Sequence, residues 1–252
     1  MLQVKALQLQ RGTNFALDIP YWQAMPGEVH AILGTNGAGK STLLKLLSGE
    51  EACRGNVLLH DRPLENWPSM ARARHLGVLP QSNNLNFGFS AEEVVALGLT
   101  PLTLGWRQGR QIVQTMMRAT NCAHLGKAKY PALSGGEQQR VHLARVLVQL
   151  SQAEREPVLL LDEPTSAQDL GQQHRLMELA CEFARSQRYC IVAILHDLNL
   201  ALRYADRCVL LNQGQAVAAG APNEVVNSAN IERYWSYSPQ ILTSDCGRTV
   251  IA

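Results

Sequence analysis

The 252-residue chain has no run approaching the roughly 18 apolar residues that cross a bilayer, and its first residues, MLQVKALQLQRG, lack the apolar segment of a secretory signal. A soluble or peripherally attached protein is expected. Excess charge is missing too. Lys plus Arg number 23 against 21 Asp plus Glu, a formal net charge of +2, so nothing advertises nucleic acid as the main partner or lipid as a strong one. The six cysteines form no CxxC pair and no zinc-like cluster with histidine, which favours free thiols in a reducing cytosol. Internal repeats, low-complexity tracts and coiled-coil heptads are also absent.

What is present is a strand and helix alternation. VHAIL (29–33), VLLLD (158–162) and YCIVAIL (189–195) are near-continuous apolar runs, the pattern of strands buried on both faces. LQVKALQLQ at the start alternates like a half-buried strand, and CVLLNQGQAVAAG reads as a hairpin turning at Asn212 to Gly214. Helical spacing places Val141, Ala144, Leu147 and Val148 on one face of a first helix. It places Leu170, Leu176, Met177, Ala180, Phe183 and Ala184 on one face of a second. APNEVVNSANIERYW reads as a further helix. The expected fold is α/β: a largely parallel sheet wrapped by helices, a small antiparallel element near the start, and an inserted helical subdomain within about 80–133.

GTNGAGKST (34–42) lies where the run VHAIL gives way to LLKLL, and it satisfies GxxxxGK[ST] in the strand-to-helix context that motif needs. Glycines let the backbone N–H groups of Gly34, Asn36, Gly37, Ala38 and Gly39 turn towards anionic oxygens, where the helix start adds about half a positive charge. In this reading Lys40 reaches β- and γ-phosphates, Ser41 ligates Mg²⁺ and Thr42 belongs with them to the nucleotide-binding residues. A glycine-rich turn with an exposed lysine is the bland reading, and the flanks argue against it.

VLLLDE delivers Asp162 and Glu163 to the C-terminal edge of a buried strand, where α/β ligands bind. Asp162 suits a metal shell, and Glu163 suits a general base, a role contributing roughly a hundred- to ten-thousandfold in rate. LSGGEQQR (133–140) contains an S-x-x-E capping box, Ser134 with Glu137, which by itself describes a well-made helix start. Gly135 and Gly136 bare the backbone beside it and create a second anion site that one nucleotide in one subunit does not need.

With these residues in view, the chain resembles the ATP-binding cassette (ABC) ATPases over nearly its whole length. The motifs follow that family's order: GTNGAGKST, the glutamine of VLPQ (Gln81), LSGGEQQR, LLLDEPTSAQD and the histidine of ILHD (His196). The resemblance implies a single P-loop cassette with a RecA-like core at 1–80 and 152–252 and a helical subdomain at about 81–151. It also implies a homodimer that sandwiches two ATP molecules with Mg²⁺ between the phosphate loop of one copy and the signature of the other. Ser134, Gly135 and Gly136 would then touch the partner's γ-phosphate while Glu137 orients the helix. Gln81 would join the Mg²⁺ and water shell, His196 the γ-phosphate and attacking water, and Asp169 the loop that crosses the interface. Gln168 stands where leucine is most common. An aromatic usually stacks on adenine near the start, and in LQRGTNF the candidates are Arg11, favoured here, and Phe15.

About 90 residues between Lys40 and Ser134 leave no room for the long coiled coil of chromosome-maintenance relatives. A lone cassette implies two copies of a separate transmembrane permease, indirect work with a periplasmic or extracellular binding protein, and a place on the cytoplasmic face of a bacterial inner membrane. The sequence is most similar to the importers of iron chelates, haem and vitamin B12, and among them to haem importers, by its long stretch between Leu147 and Pro157 and its QQH after the interface loop. Uptake of iron siderophores or vitamin B12 is the alternative. The uncharged segment 94–106 serves either as a wall of the groove that receives a permease helix or as internal packing. From other classes, a soluble ATP-driven switch acting on a macromolecule fits the same cassette, and a phosphotransferase fits it less well.

Overall fold

The computed structural model describes residues 1–11, 15–81, 88–166, 168–243 and 249–252. Two antiparallel strands, β1 (Leu2–Arg11) and β2 (Phe15–Ala24), lead into β3 (Val29–Leu33), whose five residues are all buried. Helix α1 (Lys40–Ser48) follows, then the strands β4 (Arg54–Leu59) and β5 (Arg62–Pro63), helix α2 (Ser69–His75) and β6 (Leu76–Leu79). The middle of the chain is helical, with α3 (Ala91–Ala96), α4 (Trp106–Ala119) and α5 (Gly135–Leu150). After it come β7 (Val158–Leu161), α6 (Leu170–Gln187), β8 (Cys190–Ile194), α7 (Leu198–Tyr204) and the hairpin of β9 (Arg207–Asn212) with β10 (Gln215–Gly220). Short helices α8 (Pro222–Val225) and α9 (Ser228–Trp235) and a small pair, β11 (Ile241–Thr243) with β12 (Thr249–Ile251), complete the described chain.

Among the described residues ten strands form one sheet in the order β5-β4-β1-β2-β10-β9-β3-β8-β7-β6. The run from β9 to β6 is parallel, and β5-β4-β1-β2 is antiparallel. The antiparallel element is therefore continuous with the core sheet. Among the described residues a single parallel bridge, Gln215 with Asp18, joins the halves. Parallel strands need crossovers, and those crossovers cover both faces with helices. Alternate residues of the central strands accordingly enter two cores: Val29, Ala31, Leu159 and Ile191 pack with α5 and α6, whereas Ile32, Leu160 and Val192 pack with α1 and the antiparallel strands. A third apolar cluster joins α3, α4 and one side of α5.

Three sequence expectations need correction. Leu170 is 66% exposed, because it opens the first turn of α6 ahead of the stripe that Leu176, Met177, Ala180, Phe183 and Ala184 bury. The alternation of β1 breaks at a bulge between Lys5 and Gln8, where Ala6 takes a φ of 49°, so the inward residues are Leu2, Val4 and Leu7. The helix expected over 221–235 is two, since Val226 leaves helical geometry and Asn227 caps α9 through Asn230 N.

Candidate functional site

The parallel strands aim their C-terminal ends at one edge, and the motifs sit there. From β3 the chain enters the glycine loop through Gly34, whose φ of 147° and position leave no space for a side chain: a Cβ would lie 2.4 Å from the Leu211 carbonyl oxygen. Gly39 caps α1 at φ 103° with no side-chain hydrogen bond, so the first N–H groups of the helix have no side-chain partner. Such a terminus is a ready anion site. Lys40 is buried and folds back over the loop, donating from Nζ to the carbonyls of Gly34 at 2.9 Å and Thr35 at 3.0 Å. Burial lowers its pKa, and the charges of Glu163 and Asp162 oppose that shift. Arg11, Asn36, Gly37, Gly39, Lys40, Ser41, Thr42 and Glu163 line a cleft of ≈ 380 Å³, within the range of small-molecule sites. Ala38 is buried beneath the loop.

Strand β7 supplies the carboxylates. Asp162 donates its N–H to Leu79 at 2.9 Å and accepts from Ser41 Oγ at 3.4 Å through Oδ1. Burial, reinforced by neighbouring Glu163, raises its pKa, and the Ser41 hydrogen bond pulls the other way. Glu163 adopts a φ of 48°, a left-handed conformation costly for a residue with a side chain. The turn brings its carboxylate between residues that follow the two neighbouring strands. Gln81, after β6, donates from Nε2 to Oε2 at 2.5 Å, and His196, after β8, places Nε2 2.5 Å from Oε1.

Arg11, at the end of β1, forms a bidentate pair with Glu51 through Nε at 2.9 Å and through Nη2, which raises the pKa of its half-exposed guanidinium. Glu51 was not anticipated from the sequence, which carries no local signal for a partner forty positions away. Gly12 to Asn14 and the Phe15 side chain lie outside the described residues, as do Phe87, Ala167 and Cys246. The other five cysteines are free thiols.

Ser134, Gly135, Gly136, Glu137 and Asp169 are absent from the lining of that cleft. Ser134 caps α5: its Oγ accepts from Glu137 N at 3.4 Å, while Glu137 Oε2 accepts from Ser134 N at 2.8 Å and Oγ at 2.7 Å. These bonds hold the Glu137 carboxyl below its usual range. A Cβ at Gly135 would meet no atom within 4 Å, so the helix start faces open surroundings. Asp169 caps α6 by accepting from Gln172 N at 2.9 Å. One copy thus presents two separate helix starts, α1 at the glycine loop and α5 behind Ser134.

Comparison with known proteins gives a consistent picture. The family model described as ABC transporter matches residues 17–166. The chain is 46% identical over 258 residues to a hemin import ATP-binding protein, HmuV, of Shewanella denitrificans, covering 100% of both chains. It is 48% identical over 236 residues to the HmuV of Vibrio cholerae, covering 94% of this chain and 91% of that one. Among solved structures, an inward-facing putative metal-chelate type ABC transporter aligns with a TM-score of 0.82 at 26% identity over 100% of this chain and 97% of its own. A cassette dimer bound to ADP and Pi aligns at 0.77, 23% identity, over 88% and 99%, and at that identity speaks for the fold alone.

Proposed function

The chain belongs to the ABC transporter family, whose cassettes dimerise and work with membrane permease subunits, and we propose that it is the ATP-hydrolysing subunit of a bacterial hemin importer. The observation that carries the enzymatic part is Glu163, gripped between Gln81 and His196 beside the glycine loop. ATP binds with its phosphates along the N–H groups of residues 34–42, with the Lys40 ammonium leaving its two loop carbonyls for phosphate oxygens. Arg11 lies at the rim of the cleft, where its guanidinium face suits an adenine ring.

Ser41 and Asp162 offer hydroxyl and carboxylate oxygens and Gln81 an amide oxygen, hard donors that suit Mg²⁺. Among the described residues no group of three His, Cys, Asp or Glu could hold a metal by itself, so an ion here needs nucleotide oxygens as well. When bound, Mg²⁺ supplies neutralisation of phosphate charge. Glu163 takes the proton of the attacking water. At 2.5 Å no water fits between Oε1 and His196 Nε2, so the two groups must part as the hydrolytic complex forms. His196 then faces the γ-phosphate, and Gln81 keeps the other carboxylate oxygen in place.

A single copy leaves the nucleotide covered on one side only. The α5 start of a second copy, with Ser134, Gly135 and Gly136, closes the other side, and Asp169 lies in the loop between the two copies. The exposed side of the segment around α3, with Leu97 at 44% and Trp106 at 75% exposure, faces a permease helix, while Val94 and Val95 fill the third core. Closure of the dimer moves these faces and so drives the permease. Among the described residues no helix is long and apolar enough to cross a membrane, which fits peripheral attachment at the cytoplasmic face.

Hemin as cargo is supported by the names of the relatives, and it is tested by deleting the gene and asking which iron source restores growth. Loss of growth on hemin alone supports the reading; loss on a siderophore or of vitamin B12 uptake reassigns the cargo. Retention on nucleic acid or ribosomes, with no permease recovered after detergent extraction, would favour a soluble switch.

A further inference from the structure

A chain of amide hydrogen bonds runs from α5 to the loop behind Glu163. Gln139, on α5 beyond the Ser134 cap, is buried and donates from Nε2 to the Pro164 carbonyl at 2.6 Å. Its Oε1 accepts from Gln168 Nε2 at 2.8 Å. Gln173, on α6, donates to the carbonyls of Thr165 and Gln168, each at 3.1 Å. Pro164 is bonded to Glu163, and Gln168 is bonded to Asp169. The α5 start, the catalytic carboxylate and the interface loop are therefore tied through one side-chain relay.

Both ends of the Gln139 amide are used, and Gln139 and its bond to Pro164 are buried away from water, while Gln168 and Gln173 are half-buried. A leucine at 168 has no donor for Gln139 Oε1. The elements it joins serve different nucleotides in a dimer: Glu163 acts on the ATP of its own subunit, and the Ser134 helix start covers the ATP of the other. A shift of that helix on engaging the partner's nucleotide passes through Gln139 to Pro164 within the same copy.

We propose that Gln139 and Gln168 are positioning residues that bind the signature helix start and the Glu163 loop into one rigid unit, so that closure at one nucleotide site sets the carboxylate at the other. The inference rests on the dimeric ATPase reading above. It is tested on the chain assembled with its permease, by comparing wild type with Gln168→Leu, Gln139→Leu and the double variant. ATP dependence of hydrolysis gives kcat and the Hill coefficient, and titration of the isolated subunit with a fluorescent ATP analogue gives nucleotide affinity.

Each single variant is expected to lower kcat roughly five- to tenfold, the scale of one buried hydrogen bond. The Hill coefficient should fall towards one with nucleotide affinity of the subunit unchanged, and the double variant should lose no more than either single, because the relay acts as a unit. Gln168 is only half-buried, so Gln168→Leu stays informative if Gln139→Leu fails to fold. A cooperative wild type whose cooperativity and kcat survive Gln168→Leu, or losses that multiply in the double variant, would overturn the inference. A wild type that hydrolyses without cooperativity would also overturn it while leaving the ATPase reading intact. An inactive wild-type assembly would instead remove that reading, and the relay's role with it.

Discussion

Glu163→Gln removes the proposed proton acceptor and changes little else. The substitution is isosteric, and the left-handed φ of 48° is no more strained for glutamine than for glutamate. The carboxylate now accepts from Gln81 and meets His196, each at 2.5 Å. An amide there still accepts from one of them, and the other contact survives only if that neighbour presents an acceptor. The cost to folding is therefore one partly exposed hydrogen bond, about 1 kcal/mol or less. Loss of the base should lower kcat by roughly a hundred- to ten-thousandfold, equivalent to about 3–5 kcal/mol in the barrier. ATP affinity should hold or rise, because a negative charge beside the phosphates is gone. The assay is phosphate release at saturating ATP, with nucleotide affinity and thermal unfolding measured on the same preparation. A fall of less than about tenfold would refute Glu163 as the base. A matching loss of affinity would point to a damaged loop rather than lost chemistry.

Gly34→Ala should destabilise the fold by about 1–3 kcal/mol and weaken ATP binding, because its Cβ would stand 2.4 Å from the Leu211 carbonyl; chemical denaturation checks the first and nucleotide titration the second, and wild-type values in both would contradict the packing described. His142 offers a pH test: burial holds its pKa down to about 4, with Nε2 2.7 Å from the Tyr130 hydroxyl and Nδ1 buried without a hydrogen-bond partner. Between pH 6.5 and about 4 the unfolded chain binds the extra proton, so this group's contribution to stability is complete above pH 6.5 and declines as pH falls through that window. The loss should reach up to about 2 kcal/mol after allowance for screening, and His142→Gln should flatten the slope; an unchanged slope in denaturation midpoints between pH 7 and pH 4.5 would contradict it.

Much of the core was legible because strands buried on both faces must be apolar throughout. VHAIL, VLLLD and YCIVAIL became β3, β7 and β8, adjacent in the order their motifs require. The joining of both sheet halves was not legible: it runs through the Gln215 and Asp18 bridge, and periodicity carries no information about which strands become neighbours. Ala6 defeated the alternation of β1 because a bulge inserts a residue without changing composition. The pair β11 and β12 was missed because its residues are largely exposed and show no patterned face. At the site, motif spacing placed Lys40, Ser41, Asp162 and Glu163, but the side-chain partners were invisible. Glu51 on Arg11, and Gln168 on Gln139, are set by tertiary contact alone. The capping box is also poor evidence of function, since Ser90 and Glu93 make the same one at the start of α3.

The central claim is that a nucleotide is enclosed only when two copies meet, and Gly135→Glu tests it. Residue 135 opens α5 in free space, where a glutamate suits the helix dipole yet sets a negative charge against a partner's phosphate. Light scattering of Glu163→Gln with ATP should show a doubled mass. The Glu163→Gln, Gly135→Glu double variant should still bind ATP at its own phosphate loop, without the added affinity that dimer closure supplies, and stay monomeric; an ATP-driven dimer that persists in the double variant would contradict the composite site.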